Sequence, residues 1–91
     1  MKLLQFAVPQ KVGQVCAEAV TRIAGGATLL AGLGWWVNER GQVENEQINW
    51  LVVGVDGHAD DIVETMKEIL RSSGEKAIFY VLGDEAKLEW L

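Results

Sequence analysis

The sequence predicts one α+β domain in which an antiparallel sheet carries two helices on one face. Two observations predict this class. Apolar residues recur every three or four positions in two segments that are long enough for helices. Apolar runs of strand length, bounded by glycine, proline and turn-forming residues, flank those segments. Because 91 residues suffice for one core and not for two, we expect residues 1–91 to form a single domain.

The first segment of the chain predicts a strand followed by a helix. The apolar run from Leu3 to Val8 predicts the strand. Pro9 is expected as the first residue of the helix, where its missing N–H is not needed. Gly25-Gly26 ends the helix, because glycine adopts the left-handed cap conformation at little cost. The expected buried stripe of this helix comprises Val12, Val15, Cys16, Ala19, Val20 and Ile23.

Two further strands are expected in the middle of the chain. Residues Ala27 to Val37 predict the second strand, and Asn38-Glu39-Arg40-Gly41 is typical of a turn. The polar stretch Gln42 to Gln47 is expected as a connection. The third strand, Ile48 to Val55, is apolar on both sides and is therefore expected at the centre of the sheet.

The last third of the chain predicts a helix and one or two strands. Asp56-Gly57-His58 is expected as a turn, and Ser72-Ser73-Gly74 closes the helix that follows it. The buried stripe of this helix comprises Ile62, Val63, Met66, Ile69 and Leu70. Ala77 to Leu82 predicts a fourth strand, and Ala86 to Leu91 a short fifth. The order is the ferredoxin-like βαββαβ pattern, with a four- to five-stranded antiparallel sheet.

The sheet is expected to be apolar on the face that the helices leave open. Alternation turns Leu4, Phe6, Val8, Leu51, Val53 and Val55 toward the helices. One of the adjacent Trp35 and Trp36 must point away from them, and so must either Phe79 or Tyr80. The predicted ligand or interface residues are Trp35, Trp36, Ile48, Trp50, Val52 and Tyr80.

Three kinds of molecule could cover this face. A second copy of the chain is favoured, because symmetric homodimers are the commonest oligomers. A foreign protein, such as a host protein, or an apolar small molecule between two sheets is the next alternative. Single-stranded nucleic acid is the least favoured of the three, and no nucleic-acid partner is expected, because eight Lys and Arg against thirteen Asp and Glu give a net charge of −5.

No catalytic, metal or cofactor site is predicted. His58 and Asp61 are three residues apart and form the one candidate polar site, but a solvated turn beside a helix N-terminus is the favoured explanation of both residues. Cys16 is expected to be a small core residue. As the single cysteine, it favours a reducing compartment. The start of the chain does not match a signal peptide and no apolar run reaches membrane-spanning length, so we expect a cytoplasmic protein without a membrane partner.

Several short motifs suggest a family. They are Thr28-Leu29-Leu30, Gly34-x-Trp36, Gly41 with Glu46, Leu51-Val52-Val53, Asp60-Asp61 and Ile78-Phe79-Tyr80-Val81. On these motifs the chain resembles a bacterial domain-of-unknown-function family of small ferredoxin-like proteins, related to dimeric α+β barrels. The resemblance implies the fold and no activity. In its small size and acidity the chain also resembles phage accessory proteins.

The functional expectation follows from the uncovered face. We expect a non-enzymatic homo-oligomer that either sequesters a small molecule between subunits or blocks a protein partner. The alternative is a small dimeric α+β barrel enzyme acting on an aromatic or quinone-like substrate, with His58, Tyr80 and the tryptophans at its site.

Overall fold

Five strands and two helices follow one another in the computed structural model, which describes residues 1–91. The elements are β1 (Lys2–Pro9), α1 (Gln10–Ala24), β2 (Thr28–Val37), β3 (Val43–Val55), α2 (Ala59–Ser72), β4 (Ala77–Leu82) and β5 (Glu85–Trp90). The predicted order of elements and the α+β class are confirmed. No helix has the length and apolar character needed to cross a membrane.

The sheet has the strand order β2-β3-β1-β4-β5, and every neighbouring pair is antiparallel. β1 lies at the centre, between β3 and β4. The fifth strand pairs only with β4 and extends the sheet at one edge, which is a small departure from a four-stranded arrangement. β2 forms the opposite edge.

One hydrophobic core lies between the sheet and the two helices. Its strand residues alternate as predicted, so the inward assignments on β1 and β3 are confirmed. The fully buried side chains are Leu4, Phe6, Val8, Cys16, Val20, Leu51, Val53, Ile62, Met66, Leu70 and Ile78. Burial of these side chains between the sheet and the helices supplies the main stabilisation of the fold.

β3 is five residues longer than the sequence predicts. The stretch expected as a polar connection is part of the strand, since its residues pair with β2 from Val43 opposite Val37 to Gln47 opposite Leu33. β1 ends at Pro9, which pairs with Ile48, so this part of the hairpin has no other neighbour in the sheet. We call residues 33–47 the arm. Polar residues are stable in an arm strand because both of its faces are largely exposed to solvent.

Two details of α1 differ from the prediction. Pro9 is the residue before the helix rather than its first residue, and its ψ of 140° keeps it in extended conformation. Val15 is 57% exposed, because the buried stripe is centred on Gly13, Cys16 and Val20. The predicted end of the helix is confirmed by Gly25, which has a φ of 92°.

Candidate functional site

The face of the sheet opposite the helices, here called the open face, is almost wholly apolar. Strand pairing sets its membership, because directly paired residues project to the same side of a sheet. Its larger side chains are Leu3, Gln5, Leu30, Trp36, Ile48, Trp50, Val52, Phe79, Val81, Leu88 and Trp90. The charged strand residues on this face are Glu44 and Glu46, both on the arm.

Trp50 lies at the centre of the open face and is held in place on two sides. Its indole Nε1 donates a hydrogen bond of 2.9 Å to Oε1 of Gln5 on β1. Its ring centroid lies 6.4 Å from that of Phe79, in a tilted arrangement. Because the indole N–H already has a partner, Trp50 offers a fixed aromatic surface rather than a free hydrogen-bond donor.

The apolar surface exposed here is larger than an ordinary monomer carries. Trp90 is 81% exposed, Leu88 65% and Leu30 53%. Trp36, Leu3 and the half-buried side chains around Trp50 add to this surface. With side-chain areas of up to roughly 250 Å², the face exposes on the order of 700 Å² of apolar surface. The largest apolar patch on a typical monomer is about 300–600 Å².

The structure resolves both aromatic pairs that the sequence left open. Trp36 lies on the open face, opposite Glu44, whereas Trp35 projects to the other side of the arm. Phe79 lies on the open face beside Ala7. The placement of Tyr80 among the open-face residues was wrong, because Tyr80 packs against Phe6 in the core, at a ring-centroid distance of 5.7 Å.

A groove of about 200 Å³ lies at the root of the arm. It exists because β1 stops at Pro9, which leaves a gap between β3 and β4. Both faces of the arm open into this gap, so the adjacent Trp35 and Trp36 both line it. Phe79, Glu46 and Glu75 contribute to the same lining. The groove therefore combines aromatic surface with two carboxylates.

A second polar cluster, which sequence reasoning missed, joins α2 to β5 on the helix side of the sheet. The Tyr80 hydroxyl donates a 2.6 Å hydrogen bond to Oε2 of Glu89, and Nζ of Lys67 donates a 2.7 Å hydrogen bond to Oε1. The hydrogen bonds from Lys67 and Tyr80 hold the pKa of Glu89 below its ordinary value. The hydrogen bond to Glu89 raises the pKa of Lys67. Burial, followed by the contact with Glu89, raises the pKa of Tyr80 to about 12.

The candidate polar site at the start of α2 has the geometry of a surface pair. Nδ1 of His58 lies 3.4 Å from Oδ2 of Asp61, and both side chains are 72% exposed. His58 precedes α2 with a left-handed φ of 60° and caps no backbone N–H with its side chain. No group of three metal-ligating side chains occurs in the chain.

Cys16 is buried in the core, as the sequence predicts. Burial raises the pKa of its thiol to about 11. A thiol in this environment is a poor nucleophile, because the thiolate is the reactive form.

Solved structures that are similar to this chain include a phage enzyme and a PII-like protein. A phage SAM lyase in complex with S-methyl-5′-thioadenosine superposes with a TM-score of 0.72 at 14% identity, covering 99% of this chain and 89% of the lyase. The PII-like protein CutA from Nostoc sp. PCC 7120, in apo form, superposes with a TM-score of 0.67 at 16% identity, covering 93% and 81%. At these identities the likeness establishes the fold alone. No protein-family model and no curated protein matches the chain.

Proposed function

We propose that this protein works as a homo-oligomer that binds a small molecule in a site between subunits. The observation that carries the proposal is the open face, which exposes on the order of 700 Å² of apolar surface around a fixed tryptophan. A standard protein–protein interface buries about 800 Å² on each partner, so the face is large enough for stable self-association.

The arm supports the small-molecule part of this proposal. It extends beyond the body of the domain and exposes Trp35, Trp36 and Val37 to solvent. The groove at its root is smaller than the roughly 300–1,000 Å³ of pockets that enclose a drug-sized ligand. A second subunit packed over the open face would add walls to this groove and close it.

Native mass spectrometry of freshly purified protein tests both parts together. We expect a dimer or higher oligomer that carries the additional mass of a bound small molecule. This mass should survive gentle ionisation and be lost at high collision energy. The same protein denatured in acid serves as the control for covalent adducts. A monomer at micromolar concentration without retained mass would contradict the proposal.

Blocking a protein partner is the alternative use of the same face, as a phage accessory protein would do. The two uses differ in what accompanies the purified chain. A binding protein for metabolites should show a thermal shift with members of a metabolite panel. A blocker should instead co-purify with one protein in fixed stoichiometry and show no such shift.

An enzymatic function is the second candidate. The observation in its favour is the likeness to the phage SAM lyase, which extends over 99% of this chain. Incubation with SAM, followed by chromatography for S-methyl-5′-thioadenosine, tests it directly. We expect a true activity to scale with protein concentration and to be lost in a Trp36→Ala variant but retained in His58→Ala, whose side chain lies away from the groove. Absence of product at high protein concentration would remove this candidate.

A further inference from the structure

The groove at the root of the arm has a consistent electrostatic character. Its charged lining residues are Glu46 and Glu75, and it contains no lysine, arginine or histidine. Neither carboxylate forms an ion pair within the chain, since the four ion pairs involve other residues. Unpaired carboxylates beside apolar surface favour the binding of a cation in the groove.

The aromatic part of the lining matches the same kind of ligand. Trp36 and Phe79 reach the groove from the open face and Trp35 from the opposite side. A cation over the face of a tryptophan is attracted by the ring quadrupole, most strongly when the site is partly desolvated. A bare metal ion does not fit this lining, because hard cations require six or more oxygen ligands.

The backbone around Glu46 keeps the space open. Glu46 pairs with Gly34 across the hairpin, so no side chain of β2 lies directly opposite Glu46. A Cβ on Gly34 would lie 3.3 Å from Cγ2 of Ile48, which is tighter than most Cβ contacts in proteins. Glycine therefore both fits this position and leaves room for a ligand.

We propose that the groove lined by Trp35, Trp36, Phe79, Glu46 and Glu75 binds an organic cation whose charge is carried by a methylated nitrogen or sulfur. The proposal rests on the small-molecule function proposed above and specifies its ligand class. The aromatic rings cover the methyl groups, and the carboxylates balance the charge. Within a groove of about 200 Å³, the ligand part bound by one subunit is no larger than a single substituted ring.

Two probes that differ by one methyl group and one charge test the proposal. The cation 1-methylnicotinamide and the neutral nicotinamide are titrated into the intact protein, with binding followed by calorimetry and by the indole N–H resonances of the tryptophans. We expect the cation to bind about tenfold more tightly. Glu46→Gln and Glu75→Gln should each reduce this preference roughly threefold or more.

Glu18→Gln is the matched control, because it removes the same charge from an exposed position on α1, away from the groove. It should leave the preference unchanged. Equal affinity for the two probes, no binding of the cation at millimolar concentration, or an equal effect of Glu18→Gln would overturn the proposal. An oligomer in which the partner subunit fills the groove would show no binding of the cation. The oligomer mass, measured on the same samples, reports separately on the proposed function.

Discussion

Gly13 of α1 lies directly against the side chain of Asn49 of β3, and a Cβ on Gly13 would overlap the Asn49 carboxamide. Both residues are buried. Glycine in the interior of a helix costs about 1 kcal/mol relative to alanine, so its presence here reflects the close approach of helix and strand. This contact sets how closely α1 packs on the sheet.

Gly13→Ala should therefore destabilise the fold despite the gain in helix propensity. We expect a net loss of about 1–2 kcal/mol in the free energy of unfolding, measured by urea denaturation. In an Asn49→Ala background most of this loss should disappear, because the overlapping carboxamide is gone. Gln14→Ala, on the exposed side of α1, should change the stability by less than about 0.5 kcal/mol. A stabilising Gly13→Ala would show that the contact relaxes freely.

Glu89 should make the stability of the protein sensitive to acid. Its pKa is lowered in the folded state by hydrogen bonds from Lys67 and Tyr80. A depressed folded-state pKa contributes stability above the unfolded-state pKa, and this contribution is lost as the pH falls through the folded-state value. The difference in urea midpoint between the native protein and Glu89→Gln should be largest at pH 7 and shrink toward pH 3. Glu85→Gln on the same strand is the control, and a constant difference would contradict the prediction.

Tyr80 is the only tyrosine in the chain, so its ionisation can be followed alone by ultraviolet absorbance. Burial and the contact with Glu89 raise its pKa to about 12, from an ordinary value near 10. A raised pKa contributes stability that is present below the unfolded-state value and is lost as the pH rises through the folded-state value. We expect a titration midpoint near 12 that falls in Glu89→Gln. A midpoint near 10 in protein whose circular dichroism shows an intact fold would contradict the burial of Tyr80 and its contact with Glu89.

The parts of the fold that follow from periodicity were predictable from the sequence. Alternation placed the inward residues of β1 and β3 correctly, because a buried strand repeats its apolar positions at every second residue. The start of β3 was not predictable, since Val43 to Gln47 carry the polar residues of a connection. They form a strand only because β2 pairs with them along the arm.

The residues of the site could be predicted only in strands where the sequence shows which alternate residues face the helices. In β4 either phase turns one aromatic residue inward, so Phe79 and Tyr80 could not be separated before their partners on β1 were known. Glu89 was missed for a different reason. Its partner Lys67 lies 22 residues away and on another element, a separation at which no local pattern operates.

Cys16 should be chemically silent in the folded protein. Burial raises the pKa of its thiol to about 11, and the side chain has no exposed surface. We expect labelling by a thiol-specific disulfide reagent at pH 8 to be at least about 100-fold slower in native protein than in protein unfolded by guanidinium. Rapid labelling of protein that keeps its native circular dichroism would contradict the burial of this residue.

Association through the open face predicts different effects for two similar substitutions. Leu88→Glu places a carboxylate on the open face at a residue that is 65% exposed, whereas Val15→Glu does so on α1 at a residue that is 57% exposed. Both substitutions should leave the circular dichroism unchanged, because neither side chain belongs to the core. Burying an unpaired carboxylate in an interface costs several kcal/mol, so the dissociation constant of Leu88→Glu should rise about 100-fold or more in sedimentation experiments. Val15→Glu should associate as the native chain does, and equal behaviour of the two variants would show that the subunits do not meet through the open face.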